Sequence, residues 1–368
     1  MSVGGLIRDL RKARGWSQGR LALEINEAFG TNIDREYVSK WERSKVEPGN
    51  FYLRCLSAVL DVPLAVLKSE MKRRTFLSDV AATAIAPIVA SDLLAAGFGA
   101  RLRGGPTPDA WEEKLATYGT EYMSMGAADI QRRVSGELVV VQQQLEHPQL
   151  WSVGARLMTL YAKTFPGNDG SRAVNWYRLA AEAADRSGDD QTRVWVRGRA
   201  AIALGYEGAS LGVADLLADQ AMAISDKPSL GLLNAIFGKA HAAVLRGDHA
   251  TARRLMDEGR RIFDTAGSYE QTSDYAVPWW RMNVFISLLA ARLGDEATAV
   301  EAQEAARLEL PASLPRFATH LEMHRGLMLA RSGDRKGGVQ YARTALNALP
   351  PDKHSLTLRL LTAEVEAA

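Results

Sequence analysis

Over residues 109–368 apolar side chains recur every third or fourth position, with almost no strand-like alternation, and the pattern predicts helices to the end of the chain. Nearer the start the periodicity comes in shorter blocks. Over residues 5–14, Leu6, Ile7 and Leu10 fall on one helical face and Arg8, Arg11, Lys12 and Arg14 on the other. A second helix follows through Leu21, Ala22 and Ile25, with Ser17 placed to cap it. The stretch EAFGTNID carries Gly30 and Asn32 and predicts a turn, after which Asp34 caps a third helix. In that third helix Val38 and Trp41 point toward the first two. The opposite face carries Glu36, Ser39, Lys40 and Arg43, with Arg35 at its N-terminal edge. A short helix held by one apolar face and presenting long polar side chains on the other suits a DNA major groove.

Residues 101–109, RLRGGPTPD, break the pattern with glycine and proline, and the composition becomes alanine-rich beyond them. The expected organisation is a DNA-binding bundle at 1–70, an apolar helical linker at 71–108 and a helical domain at 109–368. In the last of these, Gly-Asp pairs beginning at Gly188, Gly247, Gly294 and Gly333 recur at intervals of 59, 47 and 39 residues. Glycine can end one helix in the left-handed conformation while aspartate caps the next. Small residues follow the later pairs (Ala250 and Ala252, Ala297 and Ala299, Gly337 and Gly338), which allows helices to approach closely. This helix–turn–helix recurrence resembles divergent tetratricopeptide-like repeats, with intervals longer than the ideal of about 34 residues. The expected fold is all-α, an N-terminal helix-turn-helix bundle joined to a helical-repeat superhelix.

The linker carries KRRTFLSDVAATAIAPIVASDLLAAGFGA from Lys72, whose Arg73-Arg74 and small apolar residues resemble a twin-arginine export signal. Asp79, Pro87 and Asp92 interrupt it short of the roughly 20 apolar residues of a membrane span, and a packed linker helix is the preferred reading. No membrane association is expected, and a cytoplasmic location is.

Charge changes the picture more than composition does. Residues 1–75 carry 14 Lys and Arg against 9 Asp and Glu, and the rest of the chain 31 against 34. A polyanionic partner is therefore expected for the N-terminal fifth alone. The single cysteine, Cys55, excludes an intramolecular disulfide framework, fits a reducing compartment and is placed in the core.

Ser17-Gln18, Leu21-Ala22, Val38-Ser39, Trp41-Glu42 and Pro48, followed by LRCLSAVLDVPLAVL, resemble the phage-repressor (Xre-type) helix-turn-helix family across residues 5 to 69. Two departures stand out: a longer connection between helices two and three, and Ser44 where the family often has glycine. The resemblance implies that Gln18 contacts a phosphate and braces the first recognition side chain. It implies that Arg35, Glu36 and Lys40 read base edges, that Ser39 serves base or backbone, and that Arg43 and Lys45 grip phosphates. Arg11 and Glu42 are expected to pair inside the fold. The pairing of this module with repeats also looks like bacterial quorum-sensing regulators that bind short peptides. The Ala/Arg/Gly-rich composition and the Trp-Glu-Arg form of the motif are similar to actinobacterial members.

Other candidate chemistry is sparse. His320 and His324 in HLEMH lie one helical turn apart, but the acid between them, Glu322, is not where a zinc protease HExxH motif needs it. No metal, cofactor or enzymatic activity is expected. YEQTSDYAVPWWRMN departs from the surrounding repeats, and Trp279, Trp280, Arg281 and Asn283 form a candidate ligand or peptide pocket. Trp176, Tyr177 and Trp195 with Arg197 and Arg199 form a second. The expected function is a sequence-specific transcriptional regulator, dimeric on a palindromic operator in double-stranded DNA. Its repeats would sense a small molecule or peptide or mediate dimerisation. The rival is a DNA-tethered adaptor whose repeats bind a protein. A deep aromatic groove with converging Arg and Asn favours the first, a shallow apolar face the second.

Overall fold

The computed structural model describes residues 3–60, 86–165, 170–208 and 210–368. They form 18 α-helices, and there is no strand among the described residues. The chain divides into two compact units, Met1–Ala90 and Ser91–Ala368.

The first unit contains α1 (Val3–Ala13), α2 (Gln18–Phe29), α3 (Arg35–Glu42) and α4 (Asn50–Val59). Both expected caps are present: the Ser17 side chain accepts from the Arg20 N–H, and Asp34 accepts from the N–H groups of Glu36 and Tyr37. The long α2–α3 connection is pinned by one side chain. Asn26 donates to the Ile33 carbonyl at 2.8 Å and accepts from the Ile33 N–H at 2.9 Å, while Gly30 turns left-handed at φ 62°. Ile7, Leu21, Ile25, Val38, Trp41, Leu53 and Leu56 fill the core. Gly4 lets α1 lie directly against α3, since a Cβ there would stand 2.1 Å from the Trp41 carbonyl oxygen. Cys55 is buried as expected, and burial raises its thiol pKa.

The expected linker lies partly outside the described residues: the boundary at 70 and Arg73-Arg74 fall there. Of the remainder, α5 (Ala86–Arg103) is helical, and its Gly97 faces Val139 of α7 (Ala127–Gln142). Among the described residues no helix is long and apolar enough to cross a membrane.

The second unit continues with α6 (Pro108–Ser124), α7, α8 (Gln149–Ala162), α9 (Gly170–Ser187), α10 (Asp190–Glu207), α11 (Leu211–Ile224) and α12 (Leu230–Leu245). It ends with α13 (His249–Ala266), α14 (Trp279–Leu293), α15 (Glu296–Glu309), α16 (Pro315–Arg331), α17 (Arg335–Ala348) and α18 (Leu356–Ala367). All four Gly-Asp pairs do what their chemistry suggests. Gly188, Gly247, Gly294 and Gly333 take positive φ, and Asp189, Asp248, Asp295 and Asp334 each accept backbone N–H groups of the following helix. Of the small residues that follow, Ala252, Ala299 and Gly338 turn inward, while Ala250 and Ala297 face solvent.

The tightest helix pair is α10 with α12, and glycine permits it. A Cβ on Gly198 would fall 1.9 Å from the Gly231 carbonyl oxygen, and one on Gly205 would fall 2.3 Å from that of Gly238. The last helix folds back onto the middle of the unit. Arg292 donates to both Glu364 carboxylate oxygens at 2.9 and 2.8 Å, and the Thr357 hydroxyl donates to Glu207 at 2.8 Å.

Candidate functional site

Helix α3 begins at Asp34, whose carboxylate receives two N–H groups at 2.9 and 3.0 Å and stabilises the positive end of the helix. Val38 and Trp41 anchor it, and the Trp41 ring packs on Tyr52 with centroids 5.2 Å apart. Arg35, Glu36 and Arg43 are exposed and Lys40 is partly so, with Lys45 exposed in the turn beyond. Glu36 and Lys40 pair at 3.1 Å one turn apart, an exposed contact that contributes at most a few tenths of a kcal/mol and exchanges readily for another partner.

Two of the expected contact residues are otherwise engaged. Ser39 is only 5% exposed, and its hydroxyl accepts from Arg43 Nε at 3.0 Å, so it aims a cation and does not face outward. The reason is the width of the buried arc. Glu42 is drawn inward by Arg11, and Ser39, one turn before Glu42, is carried in with it. Gln18 likewise donates its amide to Glu42 Oε2 at 2.8 Å. Arg11 reaches the same carboxylate through Nε at 2.6 Å and Nη2 at 3.1 Å, the expected internal pair, and also donates to the Trp16 carbonyl. Glu42 thus ties α1 and α2 to α3, and the pair holds the Arg11 pKa above its ordinary value. Tyr37, which the sequence reading passed over in favour of charged residues, is 48% exposed on the same surface as Lys40. The helical wheel already places it there.

In the second unit the expected quartet is not brought together. Trp280 is fully buried, packed on Phe317 and donating its indole N–H to the Gln271 carbonyl at 3.2 Å. Trp279, one residue and about 100° away on the helix, is 43% exposed and lies on Phe263 instead. Asn283 is spent within its own helix, donating to the Trp279 carbonyl at 2.9 Å. Arg281 alone of the four lines a cavity. The second group also disperses: Arg199 reaches this cavity, Trp195 and Trp176 line two other clefts, and Arg197 pairs with Asp185 at 2.7 Å.

That cavity, about 90 Å³ in volume, is walled by α6, α8, α10, α14 and α16, the loop before α14 and the start of α18. Its charged lining is Lys163, Arg199, Arg281 and Arg316 against Asp274 and Glu207. Asp274 receives Lys163 Nζ at 2.5 and 2.6 Å, Arg199 at 2.7 Å and Arg281 at 2.9 Å. Burial opposes its charge, but the three cations together hold the carboxyl well below the usual range. Glu207 is pushed up to about 7 by burial, against the pull of its Thr357 hydrogen bond and of Lys163 and Arg199. Burial and then the neighbouring Arg199 push the Lys163 ammonium down.

Of the two histidines of HLEMH, His320 lines this cavity and His324 lies behind it. Both hydrogen-bond the Tyr206 hydroxyl, His320 through Nδ1 at 3.1 Å and His324 through Nε2 at 2.9 Å, and Ser287 meets His324 Nδ1 at 2.9 Å. Burial drives the His320 pKa to about 3 and that of His324 well below its ordinary value, so both rings are neutral core residues.

No curated protein matches the chain. Among solved structures, PlcR of Bacillus thuringiensis, in complex with the peptide PapR7 and DNA, is similar at 15% identity. That similarity covers 72% of this chain and 94% of that chain, with a TM-score of 0.36. Residues 7–67, the stretch containing α2, α3 and their buried Glu42 anchor, match the model of the Helix-turn-helix family, and the N-terminal unit is a helix-turn-helix domain.

Proposed function

We propose that the protein is a sequence-specific DNA-binding transcriptional regulator whose helical-repeat unit senses a small effector. The observation that carries this reading is α3: capped by Asp34, anchored by Val38 and Trp41, and turning Arg35, Glu36, Lys40 and Arg43 to solvent. Arg35 and Lys40 suit guanine O6/N7, and Glu36 suits the cytosine amino group. Arg43, steadied by Ser39, and Lys45 contact phosphates. Gln18 acts at one remove, bracing Glu42 beneath the reading helix. A homodimer sets two such helices on half-sites about one DNA turn apart, and an effector with unequal affinity for two arrangements of the dimer shifts its DNA affinity. The work of such a regulator places it in the cytoplasm. Between effector sensing and protein adaptation, a cavity with converging Arg side chains and an aromatic wall favours sensing.

Selection from a randomised DNA pool, run beside an Arg35→Ala, Lys40→Ala double variant, tests it. The expected result is a palindromic site that the variant loses. No enriched sequence, or one the variant still binds, would remove base reading by α3 and bring the tethered adaptor forward.

A further inference from the structure

The repeat-unit cavity is not charge-balanced. Four cationic side chains, Lys163, Arg199, Arg281 and Arg316, face two carboxylates, and one of these, Asp274, is already surrounded by three of the four. Arg316 is held by the Tyr122 and Met123 carbonyl oxygens and has no carboxylate in that cluster. Purely structural ion clusters in protein interiors pair their charges, because an uncompensated buried cation carries a large desolvation cost. With all six groups ionised, two positive charges are left over. The hydrogen-bonding ledger is also open: Arg199 Nε and Arg281 Nε are buried without a partner. Both belong to side chains that line the cavity. The cations are steadied from behind by aromatic faces, with Lys163 Nζ 4.0 Å from the Tyr122 ring centroid and Arg316 5.4 Å from both Tyr122 and Phe317. Such bracing limits the freedom of the Lys163 and Arg316 side chains.

We propose that this cavity binds an oxyanion, a carboxylate or phosphate group on a small molecule, held by Arg199, Arg281, Arg316 and Lys163. Guanidinium groups present paired N–H donors that match both groups. A volume of about 90 Å³ accommodates the anionic head, and Ile202, Val284 and Phe285 offer a short apolar wall beside it. Because the lining comes from helices spread between Tyr122 and Thr357, a bound anion draws both ends of the unit onto one centre. Its standing as the effector site rests on the function proposed above; its standing as an anion site does not.

The test is calorimetric titration of the full-length protein, without DNA, by sodium phosphate and by sodium succinate at ionic strength held constant with chloride. One saturable site per chain is expected for at least one of the two, and which one saturates assigns the source of the oxyanion. Arg316→Gln is expected to weaken it about tenfold or more. In titrations run about one pH unit above the Glu207 value of about 7, Glu207→Gln is the decisive variant, since there it removes a negative charge while keeping an acceptor for Thr357, and it is expected to tighten binding several-fold. Saturation by neither anion, or a folded Glu207→Gln protein that binds no more tightly than the parent, overturns the proposal. Intact DNA selection beside absent anion binding would sink this inference alone, and the reverse result would sink only the function it is attached to.

Discussion

At the scale of single residues, the N-terminal unit hangs on Glu42, which collects Arg11 and Gln18 in its interior. Glu42→Ala leaves the buried Arg11 guanidinium unpaired and is expected to cost about 3 kcal/mol, read as a lower urea midpoint of the N-terminal transition. An unchanged midpoint would mean that Arg11 re-pairs at no cost. Ser44 runs the other way. Its φ of 55° is left-handed, a conformation that glycine takes freely and serine does not. Ser44→Gly is expected to be neutral to stabilising by up to about 1 kcal/mol in the same melt, and a clear loss would show that the serine side chain repays its strain. Both effects were legible at the level of the residue: the Arg11–Glu42 pair through the family resemblance, and Ser44 as a departure from it. Ser39 was not, because a wheel gives direction but not the width of the buried arc, which the neighbouring Glu42 sets.

At the scale of elements, capping chemistry is local and the sequence carried it well. Ser17, Asp34 and the four Gly-Asp pairs each act on a backbone two or three residues away. Packing between distant helices was not legible in the same way. Nothing in the periodicity of α10 or α12 marks Gly198 and Gly231 as the point where two backbones touch, and Asp274 meets Lys163 across 111 residues of chain. Of the four side chains that the sequence grouped as a candidate pocket, Arg281 lines the repeat-unit cavity, while Trp279, Trp280 and Asn283 are turned elsewhere. The glycine contact is testable by contrast. Gly198→Ala forces a methyl against the Gly231 carbonyl and is expected to cost about 3 kcal/mol or more in the thermal transition of the repeat unit. Gly212→Ala, on α11 with open space around it, is expected to gain roughly 0.5–1 kcal/mol from helix propensity. Equal effects at the two positions would rule out the close approach.

At the scale of the whole molecule, the basic N-terminal fifth and the mildly acidic remainder answer to different chemistry, and pH separates them. In the repeat unit His241, His320 and His324 are all held well below the ordinary histidine range, by burial first, and then by Arg292 at His241, by Arg316 at His320 and by the neighbouring His320 at His324. From the ordinary histidine value of 6.5 downward the unfolded chain binds protons on these rings that the folded unit refuses, so stability falls as the solution is acidified. Glu207, raised to about 7, opposes this by keeping a proton in the folded state that the unfolded chain gives up. Three groups outweigh one, and the denaturation midpoint of the repeat unit is expected to be lower at pH 5 than at pH 7. A higher midpoint at pH 5 would reverse that balance.

The chain has one thiol, and it sits 1% exposed inside the helix-turn-helix domain. Any thiol-specific reagent added to the native protein therefore reads a single event, the opening of that domain far enough to admit it. The labelling rate is a built-in clock for the breathing of the first unit, since the second carries no thiol of its own. Timed with and without an operator fragment, and with and without an anion in the repeat unit, it would show whether news of one reaches the other, with no engineered probe in the molecule.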